Sequence, residues 1–156
     1  MPSRDDIYRK YGETAEAAHL LETELGTTLL LRLALEANLL VKPDLVIAKN
    51  IMKKINKMTL GQLINLIDKN SYDNVPPLKS LREALEARNR LQHTFYRFHN
   101  NRIQSDEGRL IMMKNLEEIH GIIFSAYRET MKANGIDLDE LTKSMTSLPT
   151  LHLPLD

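Results

Sequence analysis

The sequence predicts an all-α fold, and three observations carry that expectation. Leu, Ile, Met and Ala dominate the apolar set, there is no Trp, and Gly and Pro number six each in 156 residues. That composition favours helices over strands. Apolar side chains recur at three- and four-residue steps over most of the chain, whereas strict alternation is rare. A chain of this length holds one domain with one core. The expectation is a helical bundle of about five principal helices, with an up-and-down core over residues 1–135. A short helix and a leucine- and proline-rich tail follow over residues 136–156.

The first helix is expected from Asp5 to about Leu40. Tyr8, Tyr11, Ala15, Ala18, Leu21, Leu25 and Leu29 form one apolar stripe, with Glu13, Glu16, Glu22 and Glu24 off it. Beyond Gly26 the run becomes apolar on more than one face. That end should lie deeper in the core or meet a second subunit, and Gly26 suits a bend or a close helix crossing. Pro43 stops this helix, because the residue before proline is pushed out of the α region. A second helix should follow with Leu45, Ala48, Ile51, Met52 and Ile55 inward and its lysines outward. Thr59 and Gln62 have capping-box spacing and open a third helix carrying Leu63, Ile64, Leu66 and Ile67.

Residues 70–77 are rich in turn formers, and the fourth helix starts near Pro77. Its stripe reads Leu78, Leu81, Leu85, Leu91, Phe95 and Phe98, with Arg88 in a core-facing position. Asn100-Asn101 marks its end. Ser105 caps a fifth helix, with Asp106 and Glu107 in the first turn and Met112, Leu116, Ile119, Ile123 and Ala126 inward. Asn134-Gly135 stops it. A short helix from Asp137 to about Met145 precedes the tail. Leu148, Leu151, Leu153 and Leu155 suggest that the tail docks on its own domain or on a partner.

Charge and cysteine content bound the function. Lys plus Arg equals Asp plus Glu, so a general positive field for coating nucleic acid is absent. There is no cysteine, which removes disulfides, thiolate metal sites and Cys nucleophiles and fits a cytoplasmic location. No stretch reads as a signal peptide or a membrane span, so no membrane partner is expected. No metal site or cofactor is read from the residues.

Within this balanced chain, one window departs. No acidic residue lies between Glu86 and Asp106, and the window holds Arg88, Arg90, Arg97, Arg102, His93, His99, Phe95, Tyr96 and Phe98. Cutting RNA needs a base for the ribose 2′-hydroxyl or an acid for the leaving oxygen, and histidine titrates in the useful range for either. It also needs fixed positive charge where the phosphorane builds negative charge, which arginine supplies with planar paired donors. Arg88 and His93 meet this description. Yet five residues of ideal helix turn through about 140°. Either the helix is broken near Asn89, or two copies meet across a two-fold axis to build a composite site.

Arg88-Asn89 followed by His93 resembles the Arg-Asn-x-x-x-His motif of HEPN domains, named for nucleotide binding in higher eukaryotes and prokaryotes. Its surroundings resemble one branch of that superfamily: Met58-Thr-Leu-Gly-Gln-Leu-Ile64, Leu85-Glu-Ala-Arg-Asn89, His93-Thr-Phe-Tyr-Arg-Phe98 and Ser105-Asp-Glu-Gly-Arg109. The resemblance spans most of residues 10–133. It implies a helical bundle that dimerises with the two motifs facing each other and, in active members, metal-independent endoribonuclease activity, often in toxins or defence effectors. Arg88 and His93 would then be the catalytic pair, with Asn89 orienting the His93 ring. Some toxin members carry a tyrosine two residues after the histidine; here that residue is Phe95, and Tyr96 comes one later. Arg90, Tyr96, Arg97 and Arg102 are the candidate RNA contacts, Tyr96 because it lies off the stripe. The implied partners are a second copy, RNA, and an antitoxin or regulator.

Structural alternatives stand beside each of these. Arg88 in a core stripe is also what a structural arginine paired with a carboxylate looks like. Arg90, Arg97 and Arg102 fit a solvated face, and Phe95 and Phe98 fit the core. His19 and His120 read as structural. The corresponding reading of the whole is a catalytically silent helical dimer that binds a partner or regulates one.

Overall fold

In the computed structural model, residues 1–144 are described, and among them all regular structure is helical. The helices are α1 (Arg4–Glu36), α2 (Leu45–Ile55), α3 (Leu60–Asn70), α4 (Leu78–Asn89), α5 (Phe95–His99), α6 (Asp106–Ala133) and α7 (Leu138–Ser144). A π-helical turn, Arg90–Thr94, joins α4 to α5, and a 3-10 turn, Asn100–Gln104, joins α5 to α6. The expected tail docking falls on residues outside those described.

Local chemistry explains where the helices begin. Ser3 and Asp6 close a capping box on α1, and Thr59 and Gln62 close the expected one on α3. The Ser105 hydroxyl accepts from the Gly108 N–H at 3.1 Å to open α6. The directions of α1, α2, α3, α4 and α6 alternate, as cross-contacts at both ends show. Arg109 Nε donates to the Pro2 carbonyl at 2.7 Å, and Asn134 Nδ2 donates to Thr28 Oγ1 at 2.9 Å, so α1 and α6 run side by side in the same direction. The Arg82–Asp68 ion pair, at 2.6 Å, ties the start of α4 to the end of α3.

The core sits where α1, α3, α4 and α6 meet. Ile7, Leu21, Leu25 and Leu29 from α1 pack with Leu63, Ile64 and Ile67 from α3, Leu81 from α4, and Met112, Leu116, Ile119 and Ile123 from α6. The α6 stripe is the expected one throughout. In α1 the stripe holds from Tyr11 onward, but Tyr8 is exposed.

The α1–α2 hairpin departs from expectation. α1 ends at Glu36 rather than near Leu40, where Asn38 takes a positive φ of 58° and reverses the chain. The apolar end of α1 is not buried more deeply: Leu31 and Leu35 are exposed. Of the five α2 residues expected inward, only Ile55 is buried, while Leu45 is 77% exposed and Met52 is also exposed. The amphipathic pattern is present, but α2 meets the core through Ile51 and Ile55 in its second half, and its first turn stands clear. There Gly26 faces Ile55, and a Cβ on it would meet the Ile55 side chain at 3.4 Å, an ordinary contact, so the spacing does not require glycine.

Candidate functional site

The segment from Arg88 to Arg102 is not one continuous α-helix. The winding loosens at Arg90, and Thr94 leaves helical geometry at φ −127°, ψ −13°. A π-turn frees carbonyls from their usual i+4 partners, so their hydrogen bonds must go elsewhere. Here two hydroxyls take them. Thr94 Oγ1 donates to the Arg90 carbonyl at 3.1 Å, and Tyr11 Oη on α1 donates to the Leu91 carbonyl at 3.2 Å. The helix is broken next to Asn89, as one of the two ways out of the straight-helix problem requires, but the break does not bring Arg88 onto the face of His93.

His93 is exposed and lines an open cleft of about 420 Å³ with Arg82, Leu85, Glu86, Asn89, Arg90 and Thr94. Its neighbours supply two guanidinium-bearing side chains, one carboxylate and one amide. Arg88 is not on the cleft wall. Its side chain is 19% exposed and points toward α1, where Nη2 lies 3.6 Å from a Glu22 carboxylate oxygen. Its Nη1 donates to Asn89 Oδ1 at 3.0 Å. Asn89 thus lies between the cation and the cleft, with its side-chain oxygen bonded to Arg88. The side-chain hydrogen bond of Asn89 goes to the arginine beside it and not to the His93 ring.

Arg88 therefore has the carboxylate partner that the structural alternative asked for. The pair is half-buried rather than sealed, so neither charge is fully desolvated and the side chain retains access to solvent.

The second half of the segment holds the aromatics. Phe95 is buried and its ring lies 5.7 Å from Tyr11 and 4.5 Å from His99. Tyr96, the aromatic expected to be most available, is 42% exposed but leans on Tyr11 at 5.2 Å. Burial, with Tyr11 and Tyr8 adding to it, pushes its phenol up, so it stays protonated at neutral pH. Phe98, expected in the core, is 69% exposed. The physical reason is the π-turn: residues beyond Arg90 no longer keep the phase of α4, so the stripe continues from Leu91 to Phe95 and then turns to the buried His99.

His99 is what sequence reasoning passed over. It is the one nearly fully buried histidine among the described residues, held between two side chains. Nε2 lies 3.0 Å from Asn115 Oδ1, and Nδ1 lies 3.3 Å from Arg102 Nη1. Both contacts are satisfied by a neutral ring whose Nε2–H donates to Asn115 and whose Nδ1 accepts from the guanidinium. Burial pushes its pKa below the ordinary histidine value; the Arg102 charge adds to this and the Asn115 bond opposes it. Its adjacency to Asn100-Asn101, where the helix was expected to stop, was the available signal.

Gly108 fixes the far end of this segment. A Cβ there would lie 2.0 Å from the Arg102 carbonyl oxygen, so only glycine allows the first turn of α6 to seat against the 3-10 turn. Arg109 closes the same corner, donating through Nη1 to the Ile103 carbonyl at 3.0 Å and also bonding Asp106. The motif Ser105–Arg109 is thus a clamp on Arg102 and the turn that carries it. Arg97 is exposed, and Arg90 is half-buried at the cleft rim.

Among the described residues, no three His, Asp or Glu side chains gather as a metal site, and no helix is long and apolar enough to cross a membrane. The chain matches no protein-family model, no curated protein and no solved structure.

Proposed function

We propose that this chain is a HEPN-like, metal-independent endoribonuclease that acts as a homodimer, in a toxin- or defence-type role. The observation that carries the reading is His93, exposed in an open cleft beside Arg90 and Asn89, with Arg88 joined to that cleft through Asn89. In the proposed reaction the ribose 2′-oxygen attacks phosphorus as its proton passes to a base. The bond from phosphorus to the 5′-oxygen breaks, and that oxygen takes a proton from an acid. The products are a 2′,3′-cyclic phosphate and a free 5′-hydroxyl. His93 serves as the base or the acid, and the second copy's cleft supplies the complementary role. Arg88 swings from Glu22 to the phosphorane, whose charge exceeds what a half-exposed carboxylate offers in competition.

Cleavage of a mixed-sequence RNA in EDTA tests this. His93→Ala and Arg88→Ala should each lower the rate by about 10²- to 10⁴-fold, with circular dichroism and dimer mass unchanged. Wild-type protein without activity, or two variants as active as wild type, overturns the reading.

The exposed apolar hairpin and the Arg88–Glu22 pair favour a second reading. In it the chain is a catalytically silent HEPN-like dimer that binds a protein partner, an antitoxin or regulator, through the hairpin. That reading expects no cleavage, and a stability loss in Arg88→Ala that Glu22→Gln partly reverses in the double variant.

A further inference from the structure

A lone exposed phenylalanine is ordinary on a protein surface. Phe98 is not held as a lone side chain. Its ring meets His99 edge-on at 5.1 Å and 84°, and the Arg102 guanidinium lies 5.3 Å from its centroid. Arg102 is fixed in turn by His99 Nδ1, and His99 by Asn115 on α6. The ring and the cation over it are therefore positioned in advance by a buried group, and 69% of the residue's surface still faces solvent.

Phe98 borders a groove of about 340 Å³, lined also by Arg90, Thr94, Phe95, Asn115 and Ile119. No carboxylate lines it. Arg90 and Thr94 also line the His93 cleft, so the two depressions adjoin along the π-turn. Asn115 uses Oδ1 toward His99 and Nδ2 toward Glu118 at 3.3 Å, which leaves one amide hydrogen and one lone pair for a base edge.

We infer that Phe98, braced by Arg102 and His99, is a stacking platform for one unpaired RNA base, next along the strand from the bond cut beside His93. The inference rests on the ribonuclease reading and adds a substrate class to it: RNA that is single-stranded at the site. An A-form duplex keeps its bases stacked on one another and offers no free face to a phenyl ring, whereas loops and single strands do. A cation beside the ring suits the same polyanion.

The test uses the full chain and a short labelled single-stranded RNA, followed by anisotropy and by cleavage. Phe98→Ala should weaken binding about 5- to 150-fold, the range that stacking of one base supplies, and Phe98→Trp should restore it. An otherwise identical RNA lacking one base at the site should bind wild type as weakly as the intact RNA binds Phe98→Ala, with no further loss when the two changes are combined. The same sequence as a duplex should bind wild type less tightly than the single strand. Phe98 is exposed, so the thermal melt of Phe98→Ala should match wild type. If wild type cuts RNA and depends on Arg88 and His93, but Phe98→Ala binds and cuts normally, the platform alone is overturned. If wild type neither binds nor cuts RNA, the ribonuclease reading falls and takes the platform with it.

Discussion

Two regions of the molecule expose side chains that an isolated bundle would be expected to hide, and they are built in opposite ways. The α1–α2 hairpin leaves Leu31, Leu35, Leu45 and Val46 in solvent on regular helices. The segment from Arg88 to Arg102 leaves Phe98 and His93 in solvent on a helix that changes winding twice. The irregular segment is tied at each step by a specific polar contact: Arg88 to Asn89, Tyr11 to Leu91, Thr94 to Arg90, His99 to Asn115 and Arg102. A regular apolar surface can adapt to whatever covers it. A helix forced out of regular winding and then bolted down holds particular atoms at particular positions, which suits chemistry better than docking.

That contrast can be broken most severely inside α1, where buried and exposed leucines share one helix. Leu29→Ala should cost about 2–5 kcal/mol by urea unfolding, because it leaves a cavity against the core. Leu35→Ala, two turns further on, should stay within about 0.5 kcal/mol. A large loss at Leu35 would mean that the hairpin is covered in solution and is no freer than the core it adjoins.

A smaller effect is expected where the irregular segment is clamped. Gly108→Ala should cost about 1–3 kcal/mol, because the new methyl meets the Arg102 backbone rather than a side chain that could move aside. It should also disturb Phe98 and Arg102 more than the hairpin. Hydrogen exchange along residues 98–108 would show this, and uniform loosening of the whole chain would count against a local clamp.

The mildest effect is read by varying pH. His99 has its folded pKa pushed below the ordinary value of 6.5, so the unfolded chain binds the proton more readily. Its contribution to stability is complete above about pH 6.5 and is lost as pH falls toward the folded value. Urea midpoints measured from neutral pH downward should therefore fall, and His99→Gln should flatten the curve. Some slope should remain from His120, which burial and Lys10 also push down while Glu13 opposes. A variant curve as steep as wild type would show that His99 is not buried neutral.

Most of the bundle was legible because local pattern and tertiary packing agree. Leu21, Leu25 and Leu29, or Met112, Leu116 and Ile119, lie on helices straight enough for spacing to set the face. Thr59 with Gln62 and Ser105 read correctly because a cap is a local bond. The misreadings have a common cause. A 3.6-residue period carried across Arg90–Thr94 puts Phe98 inward, and no Gly or Pro there warns of a change in winding. The bond that secures the change comes from Tyr11, 80 residues away. Arg88 was conspicuous as a cation in an apolar stripe, but its partner Glu22 lies on another helix, and neither residue's spacing could announce the pair. Leu45 and Met52 show the converse: an amphipathic pattern indicates a face, and it does not supply the surface that covers it.

The hydroxyl of Tyr11 on the Leu91 carbonyl has a consequence for timing. The helix that carries the donor leaves a ribosome well before the widened turn that needs it, 80 residues further on, is made. The shape around His93 is therefore a property of the finished bundle. A nascent or partly unfolded chain has the same residues in the same order but lacks the bond that arranges them, so any chemistry at this site begins only once assembly is complete.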